Sequence, residues 1–427
     1  MTPGARAAAA IDVLHAIFRH HRPALQALGD WGRTHRFAGS GDRAAIGTMV
    51  LDALRRRASL GWRMEDDSPR ALVLGWLRFI AGHDVREIDR MSRARHGFGP
   101  LSRQERERLD KPRPLDDAPE WVRGDYPQWL HDQFRAAFGE EAVAAGTALA
   151  RRAPLDIRVN TLRASREEVM EELARHGPEE TPFSPWGLRF HENERGRLPH
   201  LAAELGFARG AFEVQDEGSQ VAALLGNASP GEQVLDLCAG GGGKTLALAA
   251  AMRGEGRIVA HDAELARLSP LVERARRAGA EEIIDIVPPQ EKERLQQLRG
   301  QMDLVLVDAP CTGTGTWRRR PDAKWRLKEK ALQRHIATQR QLLDEAAQFV
   351  RPGGRLVYIT CSVLPRENQE QVESFLQRQN GFALTDWREH AGQLASLPEA
   401  PEHSPALQLA PHSHGTDGFF IAVLRRS

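Results

Sequence analysis

From about residue 207 onward, short apolar runs alternate with segments of helical spacing, and this alternation restricts the fold more than any other feature. The runs read QVLDLCAG, RIVAHDA, EIIDIV, DLVLVDAPC and RLVYITCS, then FALTDW and FFIAVLRR, with helical stretches between them such as ERARRAGA and QEQVESFLQRQ. Repeated β-α units specify a mostly parallel sheet with helices on both faces. Ligands bind such sheets beyond the carboxyl ends of the strands. The three cysteines of the chain, Cys238, Cys311 and Cys361, all stand at such ends. So scarce a residue, placed three times at the mouth of one sheet, points to chemistry there.

Ahead of the sheet, residues 5 to about 95 carry apolar positions at helical spacing, as in RAAIGTMVLDALRRRASLGW. Pro and charge gather over residues 102 to 121, which read as a linker. Residues 125 to 205 mix helices with the short strands LDIRVNT and GLRFHE. The expected fold is α/β: a Rossmann-like sheet over 207–427, preceded by a small α+β module over 114–206 and an all-α domain over 1–113.

Charge is uneven along the chain. Residues 1–113 hold 21 Arg or Lys against 13 Asp or Glu, within a chain whose net charge is only +1. A basic module on an acidic body fits a polyanionic partner, because neutralising phosphates releases counterions; an Arg-rich solvated surface is the bland alternative. No apolar run reaches the roughly 18 residues of a membrane span, and Asp12 and His15 interrupt the Ala-rich opening, unlike a secretory signal. A cytoplasmic, monomeric protein is expected. Without a CxxC or CxxH pair the cysteines form neither a disulfide framework nor a zinc site, so no metal is expected.

The loop Cys238-Ala239-Gly240-Gly241-Gly242-Gly243-Lys244-Thr245 follows the first strand and opens a helix, where bare N–H groups await an electron-rich ligand. A phosphate-binding Walker loop would need glycine where Cys238 stands, although the run ending in Asp308 imitates a Walker B strand. The competing ligand is S-adenosylmethionine, with Asp262 at the end of the second strand taking the ribose hydroxyls, by the logic of dinucleotide sheets. A helix N-cap is the ordinary alternative for Asp262.

Carbon-5 of cytosine accepts a methyl group only after a thiolate has added at carbon-6, a bond that is later broken. Asp308, Cys311 and Cys361 supply the groups that this chemistry needs, and Lys244 is the nearby cation that would help a thiol to ionise. Each has an ordinary alternative: a buried small apolar residue for a cysteine, a turn cap for Asp308, a solvated side chain for Lys244. Cys238 fits the buried reading. From the residues alone, either Cys311 or Cys361 could attack.

The segments LDLCAGGGGKT, VDAPCTGTGTWRRRPDAKW and YITCSVLPRENQEQV, with VQDEGSQ and DGFFIAVL, resemble the signature segments of RNA cytosine-5 methyltransferases of the Sun/RsmB type over residues 120–427. More loosely, GSGDRAAIGTMVLDALRRRASLGW is similar to the NusB-like RNA-binding domain of bacterial ribosomal RNA members. The resemblance implies that Cys361 is the nucleophile and that Cys311 assists elimination and release. It implies that Asp308 contacts base and donor with Lys244 beside them, and that residues 238–244 with Asp262 hold S-adenosylmethionine.

The chain departs from that pattern in three places. Gly240-Gly241 replace Ala-Pro, Pro288-Pro289 stand where an acidic residue normally meets the adenine, with Asp285 the nearest substitute, and the N-terminal domain is shorter than usual. For RNA, the expected contacts are Arg318, Arg319, Arg320 and Lys324, interleaved with Trp317 and Trp325, plus Arg158 and Asn160 in the small module. Burial beneath the following helix is the alternative for Trp325. The reading is an S-adenosylmethionine-dependent methyltransferase of small-subunit ribosomal RNA. Its rivals are an RNA-binding or assembly protein with a weakened donor site, and a P-loop NTPase.

Overall fold

The computed structural model describes residues 1–193, 196–401 and 403–427. The chain divides into two compact units, Met1–Arg152 with Thr316–Lys328, and Ala153–Gly315 with Glu329–Ser427. This division falls at Arg152, whereas the sequence reading drew limits at 113 and 206: the helices between Glu120 and Leu149 lie in the first unit.

The first unit is helical. Helices Pro3–His20, Ser40–Arg55 and Pro69–Phe79 enclose Ala10, Leu14, Val50, Leu54, Leu72 and Leu74. Thr2 and Ser68 start two of these helices by accepting the N–H of Ala5 and Ala71, each with proline in the first turn. The stretch read as a linker contains a helix, Arg103–Asp110, whose capping box pairs Ser102 with Glu105. Glu105 is anchored in turn by Arg70 at 2.6 Å. Its charged surface masked this helix.

The segment Thr316–Lys328 returns to this unit from far along the chain. Lys324 Nζ donates to the Arg55 carbonyl at 2.7 Å, Trp325 Nε1 donates to that of Leu54 at 2.6 Å, and Arg55 Nε donates to the Arg318 carbonyl at 3.2 Å. Trp317 is buried and stacked on Phe134 with ring centroids 5.9 Å apart. Burial pulls the Lys324 ammonium down to about 8, against the charge of the buried Asp125. Burial likewise pushes the Asp125 carboxyl up, opposed by Lys324 and by hydrogen bonds from Ser59. Lys324→Met is therefore expected to destabilise the chain by about 3–5 kcal/mol in urea unfolding, since it strands a buried carboxylate. Adding Asp125→Asn should recover part of the loss. A single variant as stable as the parent would contradict this account.

The second unit holds two sheets. In the small one, β1 (Leu155–Val159), β2 (Glu179–Glu180), β3 (Gly187–Phe190) and β4 (Phe212–Val214) pair antiparallel in the order β2-β3-β1-β4. Ile157, Val159, Leu188, Phe190 and Phe212 pack there with Val169 and Leu173.

The large sheet contains β5 (Gln233–Asp236), β6 (Arg257–His261), β7 (Ile284–Val287), β8 (Met302–Asp308), β9 (Val350–Thr360), β10 (Phe382–Thr385), β11 (Leu407–Leu409) and β12 (Phe419–Arg426). The order is β10-β12-β9-β8-β5-β6-β7, with β11 paired to β12. Strands β7, β6, β5, β8 and β9 run parallel, and β12 lies antiparallel to β9 and β10. Strand β8 buries Leu304, Val305, Leu306 and Val307 in succession, as a strand covered on both faces must. From β5 the chain winds out to β7, then returns to β8 on the other side of β5, so a crevice opens at the carboxyl ends of β5 and β8. Among the described residues no helix is long and apolar enough to cross a membrane.

Candidate active site

The loop after β5 is tied to β6 by the Ala239 N–H, which donates to the His261 carbonyl at 2.8 Å. Gly242 has φ +81°, and a Cβ there would lie 2.1 Å from Leu271, so only glycine lets the loop turn into the helix Gly243–Ala251. Asp262, buried just beyond β6, accepts the Gly240 N–H at 3.0 Å and the Glu264 N–H at 2.9 Å. It thus fixes the glycine loop and caps the following turn. Beside it opens a cavity of about 430 Å³, lined by Cys238, His261, Asp262, Arg267, His335 and Thr338 among others. His335 and Thr338 come from the helix Glu329–Ala346, and nothing in the sequence marked them.

Lys244 Nζ donates to Asp308 Oδ2 at 2.6 Å, with the Phe419 ring 5.2 Å from the ammonium. The lysine side chain is 8% exposed and that of Asp308 34%, so the carboxylate is the member of the pair that meets solvent. Beneath them Asp236 accepts the Thr245 hydroxyl at 2.7 Å. Burial pushes the Asp236 carboxyl up to about 7; the Thr245 hydrogen bond and Lys244 pull it back, and the charge of Asp308 adds to the rise.

A carboxyl held at about 7 when folded, against an ordinary 3.8, keeps its proton in the folded state across that interval. Its stabilising contribution is complete below the unfolded value and is lost as pH rises through 7. Urea midpoints at pH 5.5 and pH 8.5 should therefore fall less with rising pH in Asp236→Asn than in the parent. Parallel profiles would contradict the assignment.

Cys311 follows β8 and Cys361 follows β9, strands in register with Asp308 beside Ile359. The two sulfurs lie 3.3 Å apart. The Ala309 N–H donates to the Ile359 carbonyl at 2.9 Å and the Gly315 N–H to that of Cys361 at 3.0 Å, which holds both ends together. The hydrogen bond to Cys361 holds the Cys311 thiol well above its ordinary value, reinforced by burial and by negative charge on Cys361 and Glu367. Cys238 is different: buried with Leu237 and Val305, its thiol is pushed up by desolvation and by Asp236, Asp308 and Asp262. It is a neutral small apolar residue, 8% exposed.

Four of the residues read as RNA contacts turn inward. Arg158 is buried, donates from Nε to Gln215 at 2.7 Å, and is pulled down to about 10 by burial. Asn160 is also buried, its amide donating to the carbonyls of Gly210 and Ala278, both at 2.9 Å. The period-2 pattern of LDIRVNT gave no warning, because both faces of β1 are covered. Arg318 and Lys324 are buried in the helical unit, while Arg319 is half-buried and Arg320 exposed. Asp285, the nearest acid to Pro288-Pro289, pairs its oxygens with Arg257 at 2.6 Å and Arg294 at 2.7 Å. Among the described residues no group of His, Cys, Asp or Glu could hold a metal ion.

Residues 223–425 match the family model for 16S rRNA methyltransferase RsmB/F, and residues 126–194 match the ferredoxin-like domain of RsmF/B-like methyltransferases. A probable ribosomal RNA small subunit methyltransferase B of Synechocystis sp. is 35% identical over 311 residues, 71% of this chain and 67% of that protein. The chain spans about two thirds of the length of the curated relatives it matches. Among solved structures, PH0851 superposes with a TM-score of 0.75 and 26% identity, over 100% of this chain and 99% of that one. NSun6 from Pyrococcus horikoshii, solved with SFG, does so with a TM-score of 0.61 and 25% identity, over 70% and 98%.

Proposed function

The chain belongs to the RsmB/F family of 16S rRNA methyltransferases, and from that premise we propose that it transfers a methyl group from S-adenosylmethionine to carbon-5 of a cytosine in small-subunit ribosomal RNA. The observation that carries this reading is the pair of free thiols, 3.3 Å apart at the ends of two adjacent parallel strands, near the Lys244–Asp308 ion pair. A single cysteine at a strand end is compatible with burial alone. Two facing sulfurs fit a reaction in which one adds to the base and the other attends its departure.

The donor fits the residues present. The glycine loop Cys238–Gly243 and Lys244 would pass its amino-acid part, and the cavity beside Asp262 would take the ribose, using carboxylate lone pairs not engaged by Gly240 and Glu264. Pro288-Pro289 leave the adenine without the usual acid, so weaker donor binding is expected. When bound, the donor supplies an electrophilic methyl group.

The steps that fall to the chain follow from the two thiols. Either sulfur of the S–H···S contact could donate; family resemblance gives the attack to Cys361 and release to Cys311, whose thiol is pushed up by its contact with Cys361 and by burial. Cys361 attacks carbon-6, a carbon–sulfur bond forms as the electron pair of the ring double bond shifts toward N3, and N3 takes a proton or hydrogen bond from the Lys244–Asp308 pair, in which Lys244 is the donor. Carbon-5 of the resulting enamine would take the methyl group that the donor supplies, the donor's methyl–sulfur bond breaking and S-adenosylhomocysteine leaving. A base such as water then takes the carbon-5 proton, whose electron pair returns to the ring and expels the Cys361 thiolate, with Cys311 adjacent to the leaving sulfur. Access to the ring face requires an unpaired or flipped cytosine. Arg319, Arg320 and the basic excess of residues 1–113 are the phosphate-attracting groups.

The test is to incubate the full chain with radiolabelled S-adenosylmethionine and 16S rRNA, then to separate the nucleosides. Label in 5-methylcytidine is expected. Label in another nucleoside, or none from a protein that binds both partners, would overturn the proposal.

A further inference from the structure

Glu367 lies in the turn Pro365–Glu367 beyond β9 and is fully buried. Its carboxylate accepts hydrogen bonds from the Thr312 N–H at 2.9 Å, the Thr312 hydroxyl, the Ser362 hydroxyl at 2.5 Å and the Gln339 amide at 3.0 Å. Thr312 follows Cys311 in the chain, and Ser362 follows Cys361. The Gln339 amide also donates to the carbonyl of Pro310, at 3.0 Å, on the other side of Cys311. One side chain therefore grips the neighbours of both thiols.

All four donors are neutral. Burying a carboxylate without a cation is expensive unless hydrogen bonds satisfy it, and an apolar or amide side chain would fill the same space at less cost. A charged group retained there calls for a use beyond packing. We propose that Glu367 is a positioning residue for the two-cysteine centre, its carboxylate clamping the Cys311 loop to the end of β9 and fixing the separation of the sulfurs. This proposal rests on the reading of Cys311 and Cys361 as the reacting pair.

Electrostatics supports the geometry. The titratable groups facing Cys311 are Cys361, Glu367 and Tyr358; the charge of Glu367 contributes to the rise of the Cys311 thiol, while the Gly313 N–H opposes it. Tyr358 donates its hydroxyl to the Glu367 carbonyl at 2.7 Å, so the turn itself is held from within β9. The clamp thus has a charge component and a geometric component. Glu367→Gln removes the first and weakens the second; Glu367→Asp keeps the charge and shortens the reach.

The experiment uses the full chain and two readouts. One is the pH dependence of iodoacetamide alkylation of each cysteine, resolved by peptide mass spectrometry, which needs neither RNA nor donor. The other is methyl transfer, with kcat and KM separated. In Glu367→Gln the alkylation midpoint of Cys311 should move to lower pH than in the parent, with Cys238 still protected as a sign of intact folding. The kcat should fall about tenfold or more with KM for RNA little changed. In Glu367→Asp the midpoint should stay near that of the parent while kcat still falls.

Unchanged alkylation profile and kcat in Glu367→Gln would overturn the proposal. Should that variant not fold, Thr312→Val and Ser362→Ala each remove one strut, and unchanged kcat in both would overturn it equally. An alkylation shift in Glu367→Gln alongside a parent that methylates no RNA would leave the clamp standing and defeat the proposed function instead.

Discussion

Cys361→Ala is expected to abolish methyl transfer, with the single-turnover rate falling on the order of 10⁴-fold or more, as when other covalent nucleophiles are removed. Carbon-5 of cytosine stays unreactive without addition at carbon-6, so no partial mechanism remains once the attacking sulfur is gone. Cys311 is the sulfur beside it, at 3.3 Å. Burial and the charge of Glu367 still push its thiol up when the larger contribution from Cys361 is gone, so it is a poor substitute. RNA and donor affinity should be unchanged within a few fold, because Cys361 contributes only after the base has arrived. Activity within tenfold of the parent would transfer the nucleophile's role to Cys311.

Asp308→Asn should lower kcat by about 10²–10⁴-fold, the range for removing a positioned acid–base group. The amide preserves the shape of the side chain but not the charge that Lys244 meets at 2.6 Å. Lys244 would remain almost fully buried with its counter-charge gone. A second signature accompanies the loss. The charge of Asp308 helps to hold the Asp236 carboxyl up at about 7, so its removal should lower the pH at which Asp236 loses its proton. A variant with normal kcat and an unmoved stability profile would remove Asp308 from the centre.

The β-α alternation after residue 207 fixed the sheet because each strand there is bounded by its own local pattern. LDLCAGGGGKT likewise announced a loop that opens a helix, and Gly242 makes that turn with a positive φ against Leu271. The sequence reading failed where a residue's environment is set by distant chain. Arg158 and Asn160 were expected to contact RNA from the small module, yet Gln215 and Ala278 hold them from 57 and 118 residues away. Lys324 looked like a phosphate ligand and instead meets the end of a helix 269 residues earlier.

Asp262 is not the helix N-cap considered for it, since Glu264 holds that position before Leu265–Leu268; it accepts the Glu264 N–H in the preceding turn and lines the cavity beside the glycine loop. Glu367 gave no local signal, because its partners Thr312 and Gln339 become neighbours only when β8 and β9 are paired. The charge-rich segment before residue 121 gave a misleading one, since its helix is set by a capping box and an ion pair, with only Leu109 buried.

The most direct measurement is a denaturing gel of Cys311→Ala incubated with S-adenosylmethionine and 16S rRNA, with the Cys311→Ala, Cys361→Ala double variant alongside. If Cys361 attacks and Cys311 assists release, the single variant will accumulate a slowly migrating protein–RNA adduct that is absent from the double variant. An adduct that persists without Cys361, or its absence from a Cys311→Ala protein that still binds donor and RNA, would contradict the two-cysteine mechanism.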